Sequence, residues 1–275
     1  TLALAFDRKM DTSFNSDVEL VGASANYNLK GTFYHSTYWN GTFTLVNDSQ
    51  EDDITVNAYK MQDLDGNKLL QNEVGSFKVD FKPPVIDLSD IDENVSGTLN
   101  LTSLIKNTSS GINSLNITYG GSNIENTDKW NTSEIEDGKI TLNVEADDTA
   151  GNNATDSREL VVDNNDPEVS AVLVNASYSE ILGLNDTINV TVNASDNGTG
   201  IENISANVSE FSEASVVSLE RMGNGNYSQT VEVDREVNLT NYSIEVETTD
   251  YAGNSIQNMT ENISIDSIQL DEDDD

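Results

Sequence analysis

Cysteine is absent from this 275-residue chain, and histidine, tryptophan and proline are scarce, with one, two and three copies. The first absence excludes a disulfide framework and thiol chemistry. The second excludes histidine metal centres and makes any Ser-His-Asp triad depend on His35 alone. His35 lies in Phe33-Tyr34-His35-Ser36-Thr37-Tyr38-Trp39, among aromatics at strand spacing, where an ordinary strand residue is expected. No apolar run approaches the ~18 residues of a membrane helix. The opening Thr1-Leu2-Ala3-Leu4-Ala5-Phe6 has no signal-peptide pattern. It reads as the middle of a strand, as expected for a processed product or a segment of a longer protein. Basic residues are also few, 13 against 49 acidic, for a net charge of −36. Nucleic acid and anionic lipid, which demand clustered Lys and Arg, are thereby excluded as partners, and no direct membrane insertion is expected.

A surface this acidic repels itself until salt shortens the screening length or divalent cations neutralise it. A salt-rich, halophilic setting, or neutralisation by divalent cations, is expected. Disorder is the alternative for acidic chains, but strand-like alternation runs through residues 1–268, so only the acidic tail 269–275 is assigned to it.

What the chain has is a phrase repeated three times. Asp63-Leu64-Asp65-Gly66-Asn67 returns as Asp148-Thr149-Ala150-Gly151-Asn152 and as Asp250-Tyr251-Ala252-Gly253-Asn254. Alternating apolar residues precede each copy: Ile54/Val56/Ala58, Ile140/Leu142/Val144/Ala146 and Ile244/Val246. A second strand-like run follows each and ends at Asp80, Asp163 or Asp266, with Pro83-Pro84 and Pro167 after the first two. A period of roughly 85 to 100 residues is too long for a solenoid and suits small β domains in tandem. Glycine in the phrase supplies a positive φ, the leading Asp an Asx-turn, and proline ends strand pairing. No helical window is visible. Asn40-Gly41 reads as a type I′ hairpin turn. A second phrase joins only the later copies: Asn107-Thr108-Ser109-Ser110-Gly111-Ile112 matches Asp196-Asn197-Gly198-Thr199-Gly200-Ile201. The expected fold is all-β, with β-sandwich domains over 1–82 (divergent), 83–166 and 167–268.

This frame resembles the bacterial Ig-like domains of prokaryotic surface proteins, and Phe6-Asp7-Arg8-Lys9-Met10-Asp11 is similar to the start of one subgroup. The resemblance implies an Ig-like tandem array serving as stalk, adhesin spacer or S-layer module.

Twenty of 35 asparagines stand in Asn-x-Ser/Thr sequons: Asn40, Asn47, Asn94, Asn100, Asn107, Asn116, Asn131, Asn153, Asn175, Asn185, Asn189, Asn193, Asn197, Asn203, Asn207, Asn226, Asn238, Asn241, Asn258 and Asn262. With Ser and Thr about a fifth of the chain, chance gives roughly seven. N-glycosylation, and hence an extracellular location, is the reading; a polar strand face producing sequons by accident is its alternative. In Asn189-Val190-Thr191-Val192-Asn193-Ala194-Ser195 the valines and alanine face the core and both polar residues of each sequon face out. The combination of features resembles archaeal surface-layer glycoproteins.

Oxygen ligands for structural calcium gather at two places. Asp163-Asn164-Asn165-Asp166-Pro167 is similar to cadherin-type linkers, with Asp163, Asn165 and Asp166 as ligands. Asp63, Asp65 and Asn67 alternate on a turn that is not an EF-hand, because Gly falls at loop position four and Glu73 at eleven. Asx-turns on a solvated surface are the competing explanation for both. The sequence therefore points to a structural, non-enzymatic segment of a cell-surface glycoprotein, partnered by copies of itself or sister domains and by N-linked glycans. An adhesin or carbohydrate-binding module is the second reading, with Trp39, Tyr34, Tyr38 and Trp130 as platforms. An enzyme is third, since no paired carboxylates stand out.

Overall fold

The computed structural model describes residues 1–13, 16–23, 26–45, 51–106, 110–176, 181–182, 184–234, 237–238 and 243–259. The sequons at Asn47, Asn107, Asn241 and Asn262, the strand end at Asp266 and the acidic tail lie outside them, as does the side chain of Asn238. The described residues form strands, turns and bends and no helix, so the protein is all-β. Two compact units are distinguished: 1–87 with 103–116 and 144–156, and 88–102 with 117–143 and 157–275.

The first unit carries six antiparallel strands: β1 (Leu2–Ala5), β2 (Asp17–Val21), β3 (Asn26–His35), β4 (Tyr38–Thr42), β5 (Glu51–Gln62) and β6 (Lys68–Asp80), in the order β1-β4-β3-β2-β5-β6. β3 serves two neighbours, pairing with β2 through Asn26–Leu29 and with β4 through residues 30–35. The alternation expected in β5 holds: Ile54, Val56 and Ala58 are buried, packed with Val18, Leu20, Leu29 and Trp39.

One local expectation is corrected. Asn40-Gly41 is not a turn: both residues are in β4, opposite Ala3 and Leu2 of β1, and the chain reverses at Ser36-Thr37 instead. Gly41 is there for space. A Cβ at Gly41 would lie 2.3 Å from Trp39 Cη2, and one at Gly31 on β3 would lie 2.2 Å from Cζ2. The two glycines form a cradle that seats the indole flat in the core, where any side chain would overlap it.

In the second unit, one four-stranded sheet runs Glu168–Ala176, Thr187–Ser195, Asn226–Glu232, Glu220–Gly223, and another runs Val216–Ser218, Ile201–Asn207, Glu245–Asp250, Ser255–Met259. Period-two alternation gives each an apolar face. Ile188, Val190, Val192 and Ala194 of the first meet Ile204, Ala206, Ile244 and Val246 in one core, with Phe211 and Tyr227. A five-stranded sheet takes the order Ser122–Asn123, Ile112–Tyr119, Gly138–Asp148, Asn153–Val162, Asn94–Val95. Its last pair is parallel, Val161 opposite Asn94.

Candidate functional site

The three repeated turns adopt one geometry. In each, Oδ1 of the leading Asp accepts two backbone N–H groups, those of Asp65 and Asn67 (3.0 and 2.8 Å), Ala150 and Asn152 (2.9 and 2.8 Å), and Ala252 and Asn254 (2.8 and 2.9 Å). Oδ2 accepts the side-chain amide of the closing Asn at 2.8 Å in all three. Gly66, Gly151 and Gly253 hold φ of 86°, 91° and 88°, the left-handed region that glycine enters without strain. Asp63, Asp148 and Asp250 are buried, as saturated hydrogen bonding permits.

These bonds set the acidity of the turn carboxyls. The Asn67 side-chain amide holds Asp63 below its ordinary pKa; burial opposes this, and backbone N–H groups and Arg8 reinforce it. For Asp148 burial is the largest influence and pushes upward, but the Asn152 side chain and the Asn152 and Ala150 N–H groups together outweigh it.

The closing asparagines do more than finish their turns. Asn152 Nδ2 also donates to the carbonyl of Asp80 at 3.0 Å, and Asn254 Nδ2 to that of Asp163 at 2.8 Å. Asp80 and Asp163 are the strand-ending residues of the preceding copies. The second repeated phrase completes the arrangement. Thr199 donates to Asp163 Oδ2 through its N–H (2.8 Å) and its hydroxyl (2.9 Å). Gly198 stands so close that a Cβ there would lie 2.1 Å from the same oxygen. The phrase and the turn are tied together by Tyr251 N–H to Gly200 O (3.1 Å), and in the earlier copy by Thr149 N–H to Gly111 O (3.0 Å). Three sequence features spread over 91 residues thus converge on one strand end.

The first copy has a counterpart that its sequence conceals. Leu64 N–H donates to Lys9 O at 3.2 Å, the bond that Thr149 and Tyr251 make to glycine, and Met10 bridges to Asp63 as Ile201 pairs with Asp250. Lys9-Met10 therefore fills the Gly-Ile place, and Arg8 the place of Ser110 and Thr199. Arg8 Nη1 reaches Asp63 Oδ2 at 3.3 Å.

Among the described residues, one carboxylate group has metal-ligand spacing: Asp163, Asp196 and Asp250, each offering an oxygen within 4.8 Å of the others. Asp196 Oδ2 accepts Gly198 N–H (3.0 Å) and Gly200 N–H (2.6 Å). Among the described residues, Oδ1 of Asp163 takes only the Asn165 N–H at 3.3 Å. The oxygen-only donor set fits a hard divalent cation such as calcium. Of the ligands expected from sequence, Asp163 belongs to this group. Asn165 turns its amide to Asp137, and Asp166 is exposed. Asp63 and Asn67 satisfy each other, with Asp65 contributing its N–H and exposing its side chain. Asp196 and Asp250 were not foreseen, although Asp250 opens the thrice-repeated turn and Asp196 opens the second phrase, where the other copy has Asn107.

Of the sequon asparagines, Asn40, Asn100, Asn116, Asn131, Asn153, Asn175, Asn185, Asn197, Asn203 and Asn207 are exposed, whereas Asn94, Asn189, Asn193, Asn226 and Asn258 are half-buried. The expected facing of Thr187–Ser195 is found, but its polar side is knitted rather than bare: Asn193 Nδ2 donates to Asn226 Oδ1 (3.0 Å), and Ser228 Oγ to Asn189 Oδ1 (2.8 Å). The aromatic platform is corrected. Trp39 is 0% and Trp130 3% exposed, so neither can stack on a sugar. Trp130 pairs with Leu99 and packs on Tyr119, ring centres 5.2 Å apart. Tyr34 (73% exposed) and Tyr38 form a tilted surface pair at 6.2 Å. His35 beside them is an exposed strand residue whose Nδ1 meets Thr37 Oγ1 at 3.1 Å.

The fold and site thus define an all-β chain of repeated Asp-turns closed onto strand ends. No protein-family model matches it, and no curated protein matches it in sequence. Among solved structures it is similar to the human desmocollin-1 ectodomain (TM-score 0.25, 10% identity, 94% of this chain and 52% of that one). It is also similar to domains 1–6 of the surface layer protein SbsC (TM-score 0.22, 11% identity, 97% and 53%). A third is a Ca2+-stabilized adhesin from an Antarctic bacterium that binds ice (TM-score 0.26, 17% identity, 90% and 64%). The chain spans about half the length of the first two.

Proposed function

We propose that this chain is a structural, non-enzymatic segment of an extracellular cell-surface glycoprotein, a part of a lattice, filament or stalk. In this reading its β domains span 1–82, 83–166 and 167–268, and the Asn–Asp clasp couples each to the next. The observation that carries it is the recurrence of one clasp, Asn152 to Asp80 and Asn254 to Asp163. A mechanical segment needs stiff junctions, and a half-buried amide-to-carbonyl bond at each junction supplies stiffness without any ligand. The acidic surface, the lack of cysteine and ten exposed sequon asparagines agree with an archaeal, salt-rich, glycosylated exterior. Calcium would act at Asp163, Asp196 and Asp250, drawing three neighbouring negative charges together where salt alone only screens them.

The test is calorimetry of the full chain beside the Asn152→Ala/Asn254→Ala double variant, with calcium and with chelator. Coupled domains give one cooperative transition that splits in the variant. Calcium should raise the midpoint, and Asp196→Asn should abolish that rise. Three independent transitions in the unaltered chain would refute the coupled array.

The exposed Tyr34–Tyr38 pair keeps the adhesin reading as a second possibility, narrowed to those two rings. Glycan-array binding lost on Tyr34→Ala would favour it over the structural reading.

A further inference from the structure

The second unit holds a cavity of about 550 Å³. The Tyr119–Trp130 pair lies at its floor, and Glu125, Lys129, Asn131 and Glu134 stand on its rim. Strand alternation makes this division. In Lys129–Asn131, paired with Thr98–Asn100, Trp130 turns inward and is 3% exposed, while Lys129 and Asn131 stay outside. Trp130 packs on Tyr119, but among the described residues its indole N–H and the Tyr119 hydroxyl bond nothing. The Trp39 indole N–H is also unbonded but is sealed in the core, whereas that of Trp130 is not sealed. Packed tryptophan and tyrosine ordinarily find partners for their polar ends. Here both line one cavity without any.

That set of groups selects a class of ligand. The volume falls in the range of about 300–1,000 Å³ that takes a small organic molecule. Glu125 and Glu134 oppose a phosphate, and Lys129 is the only cation among the lining residues. A hydrocarbon would leave the Trp130 and Tyr119 polar ends unserved. A neutral polyol serves them all, because each of its hydroxyls can accept from an N–H or O–H and donate to a carboxylate. The chemistry is that of a saccharide, bound by hydrogen bonds rather than on the covered indole face.

A source of sugar stands on the rim. Asn131 opens the sequon Asn131-Thr132-Ser133 and is exposed. Its Oδ1 accepts the Ser133 N–H (3.1 Å) and hydroxyl (2.9 Å), which pins the carboxamide and leaves Nδ2, the atom a glycan bonds, without a partner among the described residues. We propose that the cavity is a saccharide subsite for the glycan that Asn131 itself carries, with the Trp130 N–H, the Tyr119 hydroxyl and the Glu134 carboxylate bonding its sugars. This rests on the glycoprotein reading above and gives one of its glycans a seat. Attachment at the rim keeps the sugar at high effective concentration, so weak bonds suffice to hold it.

NMR of the full chain, nitrogen-labelled in its native source, tests this through its two indole N–H signals, with sealed Trp39 as the reference. The glycosylated protein should exchange the Trp130 N–H with water at least tenfold more slowly than the Asn131→Gln variant, and Trp39 should not change. Tyr119→Phe with Glu134→Gln keeps the sequon and the ring packing but should restore most of the exchange. Equal exchange with and without the glycan overturns the proposal. So does slow exchange that survives the Tyr119→Phe/Glu134→Gln change, since that is bulk shielding alone. Released glycan added to the Asn131→Gln protein should act only near millimolar concentration. Saturation at micromolar concentration would make the cavity a receptor for foreign sugar and overturn the assignment to Asn131. Glycopeptide mapping of the same sample separates the two levels. A bare Asn131 among occupied sequons overturns the seat and spares the glycoprotein, whereas bare sequons throughout remove both.

Discussion

Asn254 Nδ2 donates to the backbone carbonyl of Asp163, 91 residues earlier in the chain, at 2.8 Å. The same amide group bonds Asp250 Oδ2, so one side chain closes its own turn and holds the end of another strand. Truncation would leave a buried carbonyl and a carboxylate oxygen short of a donor. At about 1–1.5 kcal/mol per bond, plus the cost of the unsatisfied acceptors, Asn254→Ala should lose roughly 2–4 kcal/mol. Asn152→Ala should match it. Asn67→Ala, which ends only the turn, should lose about half as much. Urea unfolding of the three variants gives the comparison, and equal losses would show that the second bond contributes nothing.

Two glycines near this node are predicted to fail for different reasons. Gly253 has open space around it but sits at φ 88°, so Gly253→Ala meets only backbone strain, about 1–2 kcal/mol. Gly198 has no such backbone demand, but a Cβ there would lie 2.1 Å from Asp163 Oδ2. Gly198→Ala must push the loop off the carboxylate and break both Thr199 bonds. It should cost more than Gly253→Ala, and Thr199→Val added to Gly198→Ala should then be nearly silent. A double-variant cycle by thermal unfolding reads this directly.

The repeat and the strand periods made much of this legible in the sequence. Alternation at Ile54/Val56/Ala58 and at Val190/Val192/Ala194 identified inward faces because a strand turns every second residue to one side. The Asp-x-x-Gly-Asn geometry followed because only glycine accepts its φ and only a short carboxylate folds back on the next N–H groups. What failed was non-local. Gly41 looked like a hairpin turn because Asn-Gly is a strong turn signal, but its role depends on the Trp39 ring beside it in space. The Trp39 and Trp130 platforms failed likewise, since exposure is a property of packing and not of residue type. Lys9-Met10 went unseen as the counterpart of Gly-Ile because backbone bonds, not side chains, carry the equivalence. A constant Asn at the end of each phrase was visible, but its second partner lies 72 or 91 residues away.

The turn carboxyls predict an acid limit on stability. Asp63 and Asp148 are held below their ordinary pKa in the folded protein, so each favours folding while it is ionised in both states. That contribution is complete above the unfolded value of about 3.9 and is lost as pH falls through the lower folded value. Protonation also relieves the repulsion of 49 acidic residues, which acts in the opposite direction. Molar salt suppresses that second effect more than the first, because the turn bonds are short and buried. At molar salt the unfolding midpoint should therefore fall as pH drops below about 4. Asp63→Asn should flatten the slope in that range. A midpoint that rises on acidification at high salt would mean that repulsion dominates even when screened.

Glycan occupancy should follow the hydrogen-bonding state of each asparagine. In Asn100-Leu101-Thr102 and Asn131-Thr132-Ser133 the side-chain carbonyl accepts the hydroxyl two residues on, at 2.7 and 2.9 Å, and both asparagines are exposed. Among the described residues the amide nitrogen that would bear the sugar bonds nothing in either, so it can carry a glycan without disturbing a strand. Asn193 is the opposite case. Its nitrogen donates to Asn226, its oxygen accepts from Ser170, and it is flanked on both sides by paired strands. A sugar there would remove a cross-strand bond and wedge against Asn226, at a cost of about 1–3 kcal/mol. Glycopeptide mass spectrometry of protein from its native source should find Asn100 and Asn131 occupied and Asn193, Asn189 and Asn226 largely bare. Equal occupancy along Asn189, Asn193 and Asn226 would mean that sugars are added before this sheet forms and that its polar ladder is dispensable. An absence of glycan at every sequon would leave the asparagines as the solvent face of strands and turns, and would remove the glycoprotein part of the proposed function.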